Sequence, residues 1–121
     1  MAFAPDGQRL ALGGMQNTDV AIINGPGLVQ TFDWAQGKQL HEFKLGTNLQ
    51  FESLCFHPRT EWLLAASGGG TTRMAFLDID TGKTLHEFDS KMQTFGLAMD
   101  EAAETVYTVG RQRVVSWRFV P

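Results

Sequence analysis

The side chains able to do chemistry are few and widely spaced. Three histidines stand at 41, 57 and 86, the single cysteine at 55, and the longest glycine run at 68–70. A metal site would need His41 and His86 to converge with a third ligand. They hold equivalent places in two similar segments, Leu40-His41-Glu42-Phe43 and Leu85-His86-Glu87-Phe88, and read as strand histidines copied by duplication. His57 precedes Pro58 and reads as a turn residue, while Cys55 beside Phe56 reads as a small buried hydrophobe. Gly68-Gly69-Gly70-Thr71-Thr72-Arg73 has the composition of an anion cradle. Phosphate loops, however, open into a helix whose N-terminus holds the anion, and a strand pattern from Arg73 to Ile79 follows here. The run reads as a flexible inter-strand loop. Ser67, Asp78 and His86 supply the letters of a hydrolase triad, with no nucleophile elbow around Ser67. Arg111, Arg113 and Arg118 with Trp117 form the basic–aromatic cluster of the sequence. Arg111 and Arg113 flank Gln112 and read as a solvated hairpin, with a phosphate or an acidic peptide as the ligand they would suit. No catalytic residue, metal ligand or cofactor-binding residue is nominated, no cofactor is expected, and the chain is expected not to be an enzyme.

The elements that would position these residues are strands. The chain has 121 residues, 10 Lys+Arg against 13 Asp+Glu, and 43% hydrophobic residues. That composition excludes a disordered chain, and one cysteine cannot form an internal disulfide. The formal charge of −3 argues against nucleic acid and anionic membranes as partners. No apolar run approaches the ~18 residues needed to span a bilayer. With no signal peptide visible at Met1, the default expectation is cytoplasmic. Thirteen Gly and four Pro are spread through the chain and bound short apolar runs such as Ser53–Phe56, Trp62–Ala65, Met74–Leu77 and Val114–Trp117, which is strand grammar. Only Met99–Glu104 has local helical composition. The fold class is all-β.

An internal repeat organises these strands. Gly37-Lys38-Gln39-Leu40-His41-Glu42-Phe43 recurs as Gly82-Lys83-Thr84-Leu85-His86-Glu87-Phe88 at an offset of 45, with six of seven positions identical. Asp33 and Asp78 each stand four residues before the glycine. Phe3-Ala4-Pro5 likewise pairs with Phe56-His57-Pro58. A period of about 40–50 residues built from short strands is the signature of propeller blades. Three antiparallel units are expected at about 1–45, 50–90 and 94–121, with 4, 4 and 3 strands.

These residues resemble the WD-repeat (WD40) β-propeller family. Pro5-Asp6-Gly7 matches that family's first turn, and Phe32-Asp33, Leu77-Asp78 and Trp117-Arg118 occupy its Trp-Asp position, so no unit keeps the intact pair. The spacing from Asp33 to Gly37 and from Asp78 to Gly82 is the family's. Phe32, Asp33, Gly37, Leu77, Asp78, Gly82 and Trp117 are thus expected to be structural signature residues. The Gly-His dipeptide often found after the outer strand is replaced by Lys44-Leu45-Gly46 and Asp89-Ser90-Lys91. The buried His-Ser-Asp-Trp network of the family is therefore not expected, and packing of Phe32, Leu77 and Trp117 must substitute for it. The resemblance implies an incomplete ring of about 2.75 blades, like the C-terminal part of a propeller, with apolar end faces left open.

The function implied is protein–protein interaction through loops on a rigid scaffold. From Leu10 to Phe32 is 22 positions but from Leu63 to Leu77 only 14, which leaves eight extra residues within Met15–Gly27. This insertion, read as an extended hairpin turning at Asn24-Gly25, nominates Met15, Asn17, Asp19 and Asn24 as partner contacts, together with Arg73, Arg111 and Arg113. Partners are expected to be proteins, or else the remaining blades of a longer chain. Two alternatives stand beside this reading. The chain could self-associate into a ring of blades, or form the tail of a propeller enzyme, quinone- or metal-dependent, whose active residues lie upstream.

Overall fold

Short turns closed by side chains of Asp cut this chain into strands. In the computed structural model, which describes residues 1–15, 26–47, 49–59 and 62–118, Asp6 Oδ1 accepts from the Gln8 N–H at 2.9 Å and Asp33 Oδ1 from the Gln36 N–H at 3.1 Å. Asp78 Oδ1 accepts from the N–H groups of Asp80 and Thr81 at 2.9 and 3.2 Å. Such short acceptors reach back to the backbone and stop a strand from continuing. Gly7, Gly37 and Gly82 complete three of these turns at φ of 73°, 63° and 77°, a region that is costly for residues with a Cβ.

Eleven strands result among the described residues, with no helix: β1 (Ala2–Phe3), β2 (Arg9–Met15), β3 (Pro26–Asp33), β4 (Lys38–Thr47), β5 (Leu49–Phe56), β6 (Leu63–Gly70), β7 (Met74–Leu77), β8 (Thr84–Phe88), β9 (Gly96–Met99), β10 (Thr105–Gly110) and β11 (Arg113–Arg118). They form three antiparallel sheets in chain order, β1-β2-β3-β4, β5-β6-β7-β8 and β9-β10-β11. The fold is that of propeller-like blades in an open, unclosed arrangement. No helix among the described residues is long and apolar enough to cross a membrane.

Pairing shows how closely the three sheets repeat one another. Phe32 faces Leu10, Leu77 faces Leu63 and Trp117 faces Val106. The repeated Leu-His-Glu-Phe segments share a bulge. Thr31 pairs with His41 and Phe32 with Gln39, just as Phe76 pairs with His86 and Leu77 with Thr84. Leu40 and Leu85 are thus the extra residues that no partner opposes, and bulges of this kind sharpen local twist.

The core lies between sheets. Ala11, Val29, Phe43 and Leu45 of the first sheet meet Leu49, Phe51, Phe56, Leu63 and Leu77 of the second, all at most 7% exposed. Leu64, Ala66 and Met74 on the other side of the second sheet meet Val106, with Leu97, Met99 and Trp117 around them. This explains the uninterrupted Leu63-Leu64-Ala65-Ala66, fully buried throughout, because a strand covered on both faces loses its polar alternation. Strand β10 has only one covered face, and its residues alternate. Each large apolar side chain buried here contributes roughly 1.5–3 kcal/mol.

Close approach fixes one glycine. A Cβ on Gly27 would lie 2.5 Å from Phe51 Cε2 and 2.8 Å from Leu49 Cβ, so β3 must stay bare where the second sheet leans on it.

Met99–Glu104, too short to hold a helix on its helical composition alone, is a strand end and a turn: Met99 ends β9, and Asp100 Oδ1 accepts from the N–H groups of Glu104 and Thr105 at 2.9 and 3.1 Å. Ala103 there adopts φ 59°, as Gly7 does at 73° in the first sheet. Helical composition lost to the turn because this segment joins two paired strands. One expectation needs correction: Gly68–Gly70 is not a loop. It is the end of β6, with Gly69 paired to Gln50 and Gly70 to Leu49.

Candidate functional site

Antiparallel order puts the loops of each sheet at two ends. Connections from second to third strand and from one sheet to the next share one end, and the first-to-second and third-to-fourth turns share the other. The nominated contacts Met15, Arg73, Arg111 and Arg113 all fall at the sheet-crossing end, one sheet each for Met15 and Arg73 and the third sheet for the two arginines. Asn17, Asp19 and Asn24 lie outside the described residues, as does the Asn24-Gly25 turn. The ladder leading to them is longer than its counterpart. Strands β2 and β3 pair from Arg9–Asp33 out to Met15–Gly27, whereas β6 and β7 stop at Ala66–Met74. Part of the insertion therefore lengthens the hairpin itself.

The second-sheet loop at this end is clamped. Ser67 Oγ donates to Thr71 O at 2.7 Å and accepts from the Arg73 N–H at 2.8 Å, while the Ser67 N–H donates to Arg73 O at 2.9 Å. Thr94 N–H donates to Ser67 O at 2.9 Å, tying the third sheet to the same point. The Arg73 guanidinium is half-buried and reaches Glu87 Oε2 at 3.4 Å. Arg73 is thus engaged with its own sheet. Ser67 is a clamp, a role that the sequence signals only through its position before a glycine run.

Arg111 and Arg113 are exposed and flank Gln112 at φ 57°. Their hairpin rests on the segment before β9, since a Cβ on Gly110 would meet Gln93 O at 2.6 Å. In that segment Asp89 accepts from Thr72 Oγ1 at 2.5 Å and from the Lys91 N–H at 2.8 Å, with Lys91 Nζ at 3.2 Å. The Thr72 hydroxyl first, and the Lys91 backbone next, hold the Asp89 carboxyl down at about 2. Arg111 and Arg113 thus present exposed cationic side chains on this hairpin, while Lys91 is paired with Asp89.

The signature residues sit at the other end. Asp33 and Asp78 close their turns as described, and the backbone N–H groups of Asp80 and then Thr81 lower the Asp78 carboxyl below its ordinary value. The Asp78–Gly82 turn seats on the first sheet: His41 Nε2 lies 3.1 Å from Asp80 O, Arg9 Nη1 lies 3.1 Å from Asp80 Oδ1, and a Cβ on Gly82 would meet His41 Nδ1 at 2.6 Å. His41 is a joint between blades. His86, on the second sheet's opposite side, packs by Phe88 with ring centroids 5.7 Å apart.

One correction concerns Trp117. Its indole N–H donates to Thr108 Oγ1 at 2.9 Å, and Thr108 is fully buried. The tryptophan–hydroxyl bond thus survives in the third sheet, where only packing was expected. The register explains why the others lack it. The positions matching Thr108 are Leu12 and Ala65, and those matching Trp117 are Phe32 and Leu77. Donor and acceptor are absent together, so neither an indole N–H nor a hydroxyl is stranded at these positions.

No family model matches the chain, and no curated protein matches it. Among solved structures, a chain in "Crystal Structure of Mitotic Checkpoint Complex" is similar with a TM-score of 0.77 and 18% sequence identity. The match covers 98% of this chain and 34% of the other, so this chain spans about a third of that one's length. At that identity the likeness is one of fold.

The described residues hold no group of three His, Cys, Asp or Glu side chains placed to share a metal ion. Ser67 and Asp78 stand at opposite ends of the second sheet, so the triad letters are not brought together. Burial raises the Cys55 thiol above its ordinary value, which disfavours the nucleophilic thiolate.

Proposed function

We propose that this chain is a non-catalytic, WD40-like propeller segment that binds proteins through the sheet-crossing end of its blades. The observation that carries this reading is the gathering of Met15, Arg73, Arg111 and Arg113 at that end by three sheets of one repeated design. Rigid sheets hold the turns, so little entropy is lost when a partner docks. Arg73 acts there as a support, while exposed Arg111 and Arg113 and the lengthened β2–β3 hairpin make contact. The similar solved chain comes from a complex, which agrees with an interaction role. No cofactor belongs to this reading.

The test is partner capture by pull-down with the full chain, with residues 17–25 deleted or with Arg111→Glu and Arg113→Glu. Loss of capture is expected in both. Unchanged capture of every partner by both variants would sink the assignment. A ring of self-associated chains is the second reading, favoured by two open faces: Phe3, Leu12 and Trp34 on the first sheet, and Tyr107, Val109 and Val114 on the third, 37–72% exposed. Light scattering decides it, because a stable one-chain mass at working concentration removes it. The remaining alternative, the tail of a propeller enzyme, has no residue here that favours it.

A further inference from the structure

Strand β11 is paired along one edge only among the described strands. In the first two sheets the third strand lies between the second and the fourth, β3 beside β4 and β7 beside β8. In the third sheet β11 pairs with β10, and its other edge meets no described strand. Such an edge offers a row of N–H and C=O groups to an extended segment, and proteins commonly guard it with charge. The outer edges of the other two sheets are guarded in that way. Strand β4 carries Lys38, Glu42 and Lys44 along its length, and β8 carries Glu87 beside His86. Strand β11 reads Arg113-Val114-Val115-Ser116-Trp117-Arg118, with charge only at its ends and no proline. Val114 is 72% exposed there.

The register of the other sheets says what a neighbour on that edge must bring. Trp117 faces Val106 as Leu77 faces Leu63, so Val114 corresponds to Met74 and Arg113 to Arg73. In the second sheet Met74 lies opposite Phe88 and is fully buried, and Arg73 Nη1 reaches Glu87 Oε2 at 3.4 Å. The first sheet repeats the apolar half of this arrangement, with Val29 opposite Phe43 and both buried. An outer-strand aromatic thus covers the position of Val114 twice in this chain. The glutamate just before it answers the position of Arg113 once. Arg113 itself forms no ion pair among the described residues. Asp89, the acid of the segment on which its hairpin rests, is already engaged by Thr72 and Lys91. Three residues follow Arg118 in the sequence, fewer than the four (34–37) or six (78–83) that join third and fourth strands in the other sheets. They are too few to turn and run back along β11.

We infer that the β11 edge takes an extended segment of a partner protein, added antiparallel as a fourth strand, that carries a glutamate followed directly by an aromatic residue. The glutamate pairs with Arg113 and the aromatic ring lies on Val114. In strand addition the backbone ladder supplies affinity and the side-chain contacts supply specificity. Bidentate pairing of guanidinium with carboxylate also fixes direction. The inference rests on the reading of Arg113 as a partner contact and extends it from the turn to the strand that follows.

The probe is a fluorescein-labelled peptide with the sequence of residues 82–90, Gly-Lys-Thr-Leu-His-Glu-Phe-Asp-Ser, titrated with the full chain and read by fluorescence anisotropy. Saturable binding is expected, weakened about tenfold or more by Arg113→Glu, since a contacting charge is reversed. A peptide with lysine for its glutamate should bind the wild type weakly and the Arg113→Glu chain better. Serine for the peptide's phenylalanine should also weaken binding about tenfold or more, through lost apolar burial. Alternate residues of an antiparallel strand turn their N–H groups to the same side. N-methylation of one alternate set in the peptide should therefore abolish binding, and of the other set should spare it. Arg113 is exposed, so its variant is expected to fold, as circular dichroism will check. Deleting residues 17–25, which tests the loop reading, should leave peptide binding unchanged, so the two readings fail separately. No binding, binding indifferent to the charge reversals, or the same response to both methylated sets overturns the inference. So does weakening by Arg73→Glu in place of Arg113→Glu, which would mean that the peptide exchanges with β8. A dimer that Arg113→Glu dissolves would give the edge to a second copy, and a tenfold gain on removing residues 119–121 would give it to the chain's own end. Either result overturns the inference as well.

Discussion

Replacing Thr108 by valine and Trp117 by phenylalanine, singly and together, tests whether the third sheet depends on one hydrogen bond. Thr108→Val preserves volume but leaves the half-buried indole N–H of Trp117 without its acceptor at 2.9 Å. An unmet buried donor costs about 1–3 kcal/mol. Trp117→Phe removes the donor, while the Thr108 hydroxyl keeps Val115 O and Met92 Sδ, each at 3.4 Å. Its cost is therefore the net bond, about 0.5–1.5 kcal/mol, together with lost packing on Phe88. In the double variant nothing polar is left stranded, as with Leu12 and Phe32 in the first sheet. Its destabilisation should fall short of the sum of the singles by about 1 kcal/mol, or about 4 °C in Tm for a chain of this size. Urea and thermal melts of the four proteins, followed by far-UV circular dichroism, give the cycle. Additivity within about 0.3–0.5 kcal/mol would refute the idea that donor and acceptor are retained or lost as a pair.

Three other outcomes are expected. Ala103→Gly should raise stability by about 1 kcal/mol, because Ala103 stands at φ 59° where a Cβ is penalised; an unchanged or lower midpoint in urea counts against that turn. Gly82→Ala should destabilise by about 1–2 kcal/mol, with further loss from the Cβ pressing on His41, and His41→Ala should relieve only the second part in a melting comparison. The Asp89 carboxyl is held below its ordinary 3.8, at about 2, so the native state gains from it above about pH 4. That gain fades as pH falls toward 2. Thr72→Val should move the Asp89 midpoint up toward the ordinary value in a carboxyl NMR titration, and an unmoved midpoint excludes the hydroxyl as the main cause.

Much of the fold is legible in the chain because its signals are local. The Asp33–Gly37 and Asp78–Gly82 spacing encodes two turns, and the copied Leu-His-Glu-Phe segments encode two outer strands at matching places. Leu10 to Phe32 and Leu63 to Leu77 are indeed facing pairs, so the length of the insertion follows from counting. The candidate surface is less legible. Arg73 and Arg111 look alike in sequence, yet one is half-buried against Glu87 and the other is exposed. That difference depends on which strand lies alongside, which no local pattern records.

The sequence by itself determined a periodic, all-strand chain with Asp- and Gly-closed turns, since backbone preferences and short acceptors act over a few residues. It also placed Arg118 where two earlier units have Asp. Only the tertiary structure decided what each copy of the repeated segment does. His41 carries the Asp78–Gly82 turn, whereas His86 lines a groove with Trp62, Phe76 and Arg118. The same copied segment thus serves as a joint in one place and as a groove wall in another. The physical reason is that burial and charge pairing belong to the space between sheets, and that space is made by residues 39 to 71 positions apart.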